Sequence, residues 1–153
     1  MKKEIQIRNP EDIIAVAHRW KKRRQENFLV ITLDGSHTVL KLHHVTKGLL
    51  NRTIVHPREC FFYAIKDYCA AVAFVHNHPS GKANPSSEDD EITDRLCKSG
   101  KILGIHILDH IIITPNDNFY SYRKEGKIEE DFTEYELKEF IGKIKPGKKS
   151  RCG

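Results

Sequence analysis

The clearest structural signal in this chain is the stretch Ala70-Ala71-Val72-Ala73-Phe74-Val75-His76-Asn77-His78-Pro79. Its first six residues are apolar, which predicts a buried β-strand. Pro79 has no amide hydrogen to donate to a sheet, so the strand is expected to end before it. Because side chains alternate between the two faces of a strand, His76 and His78 point in the same direction and can converge on one metal ion.

A third candidate ligand follows at the start of the next predicted helix. Ser86 is a favourable N-cap residue, and Asp89 lies one turn into the helix. Two imidazoles and one carboxylate, without a fourth protein ligand, form the donor set of a catalytic rather than a structural zinc site. Ser86 and Asp89 also have the spacing of a capping box, so a helix start explains both residues without a metal. The spacing alone leaves both interpretations open.

The elements predicted around this strand alternate irregularly between helix and strand. Helix starts are indicated at Asn9-Pro10 and at Pro57. The apolar stripe of the second helix consists of Phe61, Phe62, Ile65, Tyr68 and Cys69. The third helix is expected to end near Ser99-Gly100, and Asp34-Gly35 predicts a hairpin. Strands are predicted over 28–33, 39–45, 70–75 and 119–123, with one or two over 102–114 and a possible short one over 50–55. This pattern predicts a mixed α/β fold with a curved, mostly antiparallel sheet flanked by helices.

Size and composition bound the class of protein. The chain has 153 residues, which predicts one domain with one hydrophobic core. No apolar run approaches the roughly 18 to 20 residues needed to span a bilayer, and Met1-Lys2-Lys3 is not followed by the apolar segment of a signal peptide. We therefore expect a cytosolic protein without membrane attachment. The four cysteines form no C-x-x-C pair and are expected to be reduced.

The net charge of +5 is unevenly distributed. Residues 141–153 hold five of the 26 basic residues and none of the 21 acidic residues, so the rest of the chain is neutral overall. We expect a domain over residues 1–124, followed over 125–153 by an appended helix (132–144) and a flexible basic tail. A second basic run, Arg19 with Lys21 to Arg24, suits the C-terminal end of the first helix. Either basic segment can contact a polyanion such as nucleic acid, or can be a solvated surface.

The histidine pair and its neighbours resemble a known motif. His76-Asn77-His78-Pro79, followed by Ser86 and Asp89, is similar to the H-x-H-P-x6-S-x-x-D motif of JAMM (MPN+) metallopeptidases, and more narrowly to their RadC-like branch. Supporting segments are Val55 to Glu59, Leu103-Gly104-Ile105, Leu108 to Ile113 and Phe119-Tyr120-Ser121. The resemblance extends over residues 9–123. RadC-like proteins often carry an N-terminal helix-hairpin-helix region, for which this chain has no room, so we expect the catalytic module alone.

The resemblance implies a JAB/MPN fold, with a three-layer arrangement similar to that of cytidine deaminases. It also implies a single Zn²⁺ ion held by His76, His78 and Asp89, with water in the remaining coordination position. By analogy with the family, Ser86 would lie near the developing oxyanion and donate a hydrogen bond to it. Its role as an N-cap is compatible with this, because one hydroxyl group can both accept and donate.

The resemblance leaves other site residues open. In JAMM peptidases a glutamate early in the domain acts as the general base, and the candidates here are Glu26, just before the first long strand, and Glu59, at the start of the second helix. Either can instead be a solvated surface residue. The Asp109-His110 pair is a candidate partner that orients a ligand histidine, or else a buried structural pair.

The resemblance therefore predicts a zinc-dependent hydrolase, in which metal-bound hydroxide attacks a peptide or isopeptide amide in a peptide or protein substrate. One alternative is a DNA-repair-associated accessory module that binds nucleic acid through the basic segments, although no residue indicates chemistry on DNA. Another is a metal-binding scaffold without turnover, which the intact ligand set disfavours. The sequence contains no H-E-x-x-H, G-x-S-x-G or P-loop motif, so it lacks the signatures of those other enzyme classes.

Overall fold

A five-stranded sheet forms the centre of the domain in the computed structural model, which describes residues 3–50 and 54–128. The strands are β1 (Asn27–Leu33), β2 (Val39–Lys47), β3 (Ala71–Asn77), β4 (His106–Ile113) and β5 (Phe119–Ser121), in the order β2-β1-β3-β4-β5. β3 and β4 are parallel, and the other three neighbouring pairs are antiparallel. The predicted mixed, mostly antiparallel sheet is confirmed.

Helices cover both faces of this sheet. They are α1 (Pro10–Val16), α2 (Pro57–Lys66) and α3 (Ser87–Leu103), with a 3-10 helix at His18–Trp20. One core cluster packs alternate strand residues, such as Phe28 and Phe74, against α2 and α3. A second cluster packs the intervening residues, such as Leu29 and Val75, against α1. The protein therefore has three layers, and helices flank the sheet as predicted.

The connection from β3 to α3 positions the candidate site. All seven residues of β3 are buried, because the strand lies in the middle of the sheet between two helical layers. The strand continues beyond its apolar run and ends at Asn77, before Pro79, as the sequence predicted. The chain then passes through residues 78–86 to the start of α3. The first turn of α3 consequently lies beside the carboxyl end of β3.

The end of α3 differs from the prediction. The sequence indicated a stop near Ser99-Gly100, but the helix passes through Gly100 and is capped by Gly104, which has a left-handed φ of 72°. Gly100 has a packing role instead, because a Cβ atom there would lie 2.7 Å from the carbonyl oxygen of Ile105. Of the one or two strands predicted over 102–114, the structure therefore has β4 alone, because α3 extends to Leu103.

The apolar stripe predicted for α2 is wrong in part. Phe61 is buried, but Phe62 and Ile65 are exposed, and the helix ends at Lys66, so that Tyr68 and Cys69 lie beyond it. The side of the helix that faces the sheet is formed by Cys60, Phe61 and Ala64. Apolar residues occur on both sides of this helix, so their spacing does not identify the buried side.

Two turns also differ in detail from the prediction. α1 ends at Val16 and a 3-10 helix follows, so the basic residues Lys21 to Arg24 lie beyond the helix rather than in its last turn. The hairpin predicted at Asp34-Gly35 does connect β1 to β2. The connection extends from Asp34 to Thr38 and is longer than a two-residue turn. The residue with a left-handed φ in it is His37 (60°).

Some predictions concern residues outside the described ranges. These are the appended helix over 132–144, the basic tail and residues 51–53 of the possible strand over 50–55. Leu50 and residues 54–55, which are described, are not in a strand. Within the described ranges, no helix combines the length and apolar character needed to cross a bilayer.

Candidate metal centre

The three side chains predicted as ligands converge at the carboxyl end of β3. His76 is the second-last residue of that strand, and His78 is the first residue after it. Asp89 lies in the first turn of α3. The Nε2 atoms of the two histidines are 2.9 Å apart. Asp89 Oδ1 lies 3.4 Å from Nε2 of His76, and Asp89 Oδ2 lies 3.2 Å from Nε2 of His78. All three residues are buried. In the described part of the chain, they are the one group of three or more histidine, cysteine, aspartate or glutamate residues that lie close enough together to share a metal ion.

A chain of hydrogen bonds fixes the hydrogen position on His76. The Thr93 hydroxyl donates to the carbonyl oxygen of Asp89 at 2.8 Å, so its oxygen accepts from Nδ1 of His110 at 2.6 Å. Nε2 of His110 then has no hydrogen, and it accepts from Nδ1 of His76 at 2.7 Å. Burial lowers the pKa of both His76 and His110, which keeps the two rings neutral. The Nε2 atom of His76 is therefore left with a lone pair that faces His78 and Asp89.

His78 presents its lone pair to the same point. Its Nδ1 donates to the carbonyl oxygen of Lys82 at 2.9 Å, which leaves Nε2 of the neutral ring without a hydrogen. Two imidazole lone pairs and one carboxylate thus face one another across 2.9 to 3.4 Å. This arrangement is repulsive unless a cation lies among the three groups, and two imidazoles with one carboxylate suit a divalent transition metal. The residues present therefore fit a metal ion.

Burial and contacts within the cluster shift the pKa values of two of these groups. Burial alone would raise the pKa of Asp89, but the adjacent His76 and His78 outweigh it and hold this pKa well below its ordinary value. Burial alone would lower the pKa of His78, but its contacts with Asp89 and with the Lys82 carbonyl oxygen raise it. Asp89 is thus an anion at neutral pH. In the metal-free protein, a proton competes for the position on His78 that a metal ion would occupy.

A capping box orients the Asp89 carboxylate. The backbone N–H of Ser86 donates to Asp89 Oδ2 at 2.8 Å, and the backbone N–H of Asp89 donates to Ser86 Oγ at 3.1 Å. The two interpretations of these residues that the spacing leaves open are therefore compatible. The helix start holds the carboxylate in place, and the same carboxylate faces the two histidines.

An open cleft of about 1380 Å³ gives access to this cluster. Its lining includes Glu26, His78, Ser80, Lys82, Ser86 and Asp89. Oε2 of Glu26 accepts a hydrogen bond from the backbone N–H of Leu50 at 3.1 Å. Glu59 is exposed and lines a separate depression between β2 and α2. The structure brings Glu26 and Ser86 to the cleft of the ligand cluster, and it does not bring Glu59 there.

The two members of the Asp109-His110 pair face opposite sides of β4. His110 lies on the α3 side and contacts His76 and Thr93. Asp109 accepts from Ser121 Oγ at 2.6 Å and from the backbone N–H of Arg123 at 3.0 Å, and burial raises its pKa. Of the two residues, only His110 contacts a predicted ligand, His76, whereas Asp109 connects β4 to the segment around β5.

Thr93 belongs to the site although the sequence did not single it out. It lies four residues after Asp89, which is one helical turn, and it is 2% exposed. Its position on the same side of α3 as Asp89 is the one local signal of its role. Its partner on the sheet, His110, comes from a different strand, so the contact itself follows only from the fold.

Comparison with known proteins places the chain in a family. Residues 7–127 match the family model described as "RadC-like JAB domain". The chain is 47% identical over 115 residues to a "UPF0758 protein" of Methanospirillum hungatei, and the aligned segment covers 74% of this chain and 51% of that protein. It is 48% identical over 109 residues to a "UPF0758 protein" of Trichlorobacter lovleyi, with 71% and 47% covered. The chain spans about half the length of these curated relatives. With this match over most of its length, the chain belongs to the RadC-like JAB domain family.

Proposed function

We propose that this protein is a metal-dependent hydrolase of the JAMM type that cleaves a peptide or isopeptide amide. The observation that carries the proposal is the convergence of three lone-pair donors, from His76, His78 and Asp89, beside an open cleft. Three protein ligands leave coordination positions for water and substrate, as in catalytic sites. Membership of the RadC-like JAB domain family supports the same function. The cytosol is the proposed location, as expected from the sequence.

The proposed cofactor is one Zn²⁺ ion per chain, held by Nε2 of His76, Nε2 of His78 and the Asp89 carboxylate. When bound, zinc lowers the pKa of a coordinated water to about 7 and polarises a carbonyl group. The hydrogen bonds from His76 to His110 and from His78 to the Lys82 carbonyl oxygen set both tautomers before the metal binds. In these tautomers Nε2 of each neutral ring faces the metal position, and the one competing hydrogen is the proton that His78 can carry on Nε2.

Glu26 is the proposed general base, and Ser86 is the proposed oxyanion donor. Glu26 lines the cleft, and its carboxylate is held there by the Leu50 N–H. Its other carboxylate oxygen can take a proton from water and pass it to the leaving amine. Ser86 Oγ accepts the Asp89 N–H, so its own hydrogen remains available for an oxyanion. Glu59 has no such access, and we do not include it in the site.

The charge of the cleft supports a peptide or protein substrate rather than a polyanion. The carboxylates that line it belong to Glu26, Glu88, Asp89 and Asp117, and the one lining lysine is Lys82. Lys21 offsets Asp117 through an ion pair of 2.8 Å. Even with a divalent cation bound, this lining lacks the basic surface that a row of phosphates needs. Leu49 and Phe119, also at the cleft, offer apolar contacts for substrate side chains.

A second candidate function, an accessory module that binds nucleic acid, is favoured by a separate basic surface. Arg23, Arg24 and Lys47 line a depression together with Trp20 and His44. The Arg23 guanidinium lies 5.1 Å from the centre of the Trp20 ring, and the His44 ring lies 4.8 Å from it. Basic and aromatic side chains in one groove suit single-stranded nucleic acid. Under this alternative the metal site would be structural or of unknown activity.

Metal analysis combined with a peptidase screen tests the first proposal. The purified wild-type protein is expected to contain one zinc per chain and to hydrolyse some of the screened peptides. His78→Ala should lose both properties, Glu26→Gln should lose hydrolysis and keep zinc, and Glu59→Gln should keep both. An unchanged zinc content in His78→Ala would contradict the ligand assignment.

Salt-dependent DNA binding tests the second proposal. This function predicts an affinity for single-stranded DNA that falls steeply as the salt concentration rises. The dependence of affinity on salt should be shallower after Arg23→Ala and Arg24→Ala, or after deletion of residues 141–153. No DNA binding at low salt would exclude it. Hydrolysis and DNA binding are separate readouts, so the two functions can be distinguished in one preparation.

A further inference from the structure

The asparagine between the two ligand histidines has contacts that metal binding does not explain. Asn77 is 1% exposed. Its Oδ1 accepts from the backbone N–H of Asn27 at 2.7 Å. Its Nδ2 donates to the carbonyl oxygens of Gln25 at 2.9 Å and Arg23 at 3.3 Å. All three partners belong to the segment that contains Glu26.

We propose that Asn77 is a positioning residue that holds Glu26 at the metal cleft. The proposal rests on the proposed function, in which Glu26 is the general base. Asparagine suits this task because its short side chain supplies one acceptor and two donated hydrogens, and all three are used here. Aspartate, which has the same shape, would keep the acceptor but would face two carbonyl oxygens with no hydrogen to donate.

The position of Asn77 in the sheet explains why a side chain makes these bonds. The antiparallel pairing of β1 with β3 ends at Phe28 and His76. The next pair would be Asn27 with Asn77, but there the Asn77 side chain takes the place of the backbone partner. The chain before β1 therefore separates from β3 at this point, while it remains hydrogen-bonded to the end of β2, and Glu26 lies at the cleft.

Glu26 is also held from its other side. Its carbonyl oxygen accepts from the backbone N–H of Gly48 at 2.8 Å, and its Oε2 accepts from the backbone N–H of Leu50 at 3.1 Å. The Leu50 amide hydrogen is consequently a reporter of the carboxylate position. It is protected from exchange while the Glu26 carboxylate accepts from it, and it loses that protection when the carboxylate moves away.

Amide hydrogen exchange of the zinc-loaded, full chain measures this position without a substrate. In Asn77→Ala, the exchange rate of the Leu50 amide is expected to rise about tenfold or more, because the Glu26 segment loses its buried hydrogen bonds. Asn77→Asp is expected to change the rate in the same direction, and it serves as the second variant if the alanine variant folds poorly. Zinc affinity should stay at the wild-type value in both, because neither variant alters a ligand.

Thr32→Val is the matched control. It removes buried hydrogen bonds near the other end of β1, to Asp67 and to the Lys41 backbone. It should lower overall stability and leave exchange at Leu50, corrected for that stability, at the wild-type rate. A loosening of the whole sheet would instead raise the Leu50 rate equally in Thr32→Val and Asn77→Ala, and that result would overturn the proposal.

Glu26→Ala completes the test. In this variant the Leu50 amide already exchanges fast, and adding Asn77→Ala is expected to cause no further rise. A further rise in the double variant as large as the rise in the wild-type background would overturn the proposal, as would wild-type protection of Leu50 in both Asn77 variants. A failure of the proposed function has a different signature. Hydrolysis would survive Glu26→Gln, while the Leu50 response to Asn77→Ala would persist.

Discussion

Replacing His110 with alanine tests the hydrogen-bond chain behind His76. His110 is fully buried and accepts from Nδ1 of His76 at 2.7 Å. Without this acceptor, the Nδ1–H of His76 would be buried without a partner, which costs about 1–3 kcal/mol. The ring avoids this cost by carrying its hydrogen on Nε2 instead, where Asp89 Oδ1 lies 3.4 Å away and can accept it. The lone pair of Nε2, which we propose as the metal donor, is then lost until the hydrogen moves back.

Zinc affinity in His110→Ala is therefore expected to fall by about 5- to 150-fold, which is the same free energy expressed as a ratio. A competition titration with a chromophoric chelator measures it at fixed pH, on protein whose folding is checked by circular dichroism. Ser121→Ala is the control, because it removes a buried hydrogen bond to Asp109 on the opposite side of β4. Equal zinc affinity in folded His110→Ala and in the wild type would refute the reasoning.

Three further predictions concern pH, packing and catalysis. Protonation of His78, whose pKa is raised, stabilises the metal-free fold at low pH and competes with zinc. The increase in Tm when zinc binds should therefore be large above that pKa and become smaller as the pH falls through it. An increase in Tm that does not depend on pH would contradict this. Gly100→Ala should lower the free energy of unfolding, measured in urea, by about 2–3 kcal/mol, because its Cβ would lie 2.7 Å from a backbone oxygen. Gly104→Ala is the control and should cost roughly 1 kcal/mol, because only the left-handed φ opposes alanine there. Equal losses in the two variants would contradict the prediction. Glu26→Gln should lower kcat by about 100-fold or more at unchanged zinc content, measured on a peptide that the wild type cleaves. An equal loss of kcat in Glu59→Gln would argue against Glu26 as the general base.

The positions of the three predicted ligands follow from local patterns in the sequence, whereas their role as a ligand set came from the resemblance to the family. Alternation along β3 places His76 and His78 on one side, and the cap spacing from Ser86 places Asp89 in the first turn of α3. These are short-range rules of backbone geometry, so they hold before the fold is known. The order of helices and strands near the site follows for the same reason, because the apolar run of β3 and the proline after it are unambiguous.

The remaining features of the site depend on contacts between distant segments. His110 reaches His76 because β4 lies parallel to β3 with Phe74 opposite His110, and this register includes an irregularity after Val72. No local pattern encodes that register. The choice between Glu26 and Glu59 likewise depends on where the segment before β1 separates from β3. For α2, apolar residues on both sides made the buried side impossible to identify from spacing.

Anomalous diffraction at the zinc absorption edge, on crystals of the protein as purified, tests the central claim most directly. We predict one anomalous peak per chain, about 2.0–2.2 Å from Nε2 of His76, Nε2 of His78 and an oxygen of Asp89. The absence of a peak there in zinc-supplemented crystals, with the three side chains in contact only with one another, would contradict the account.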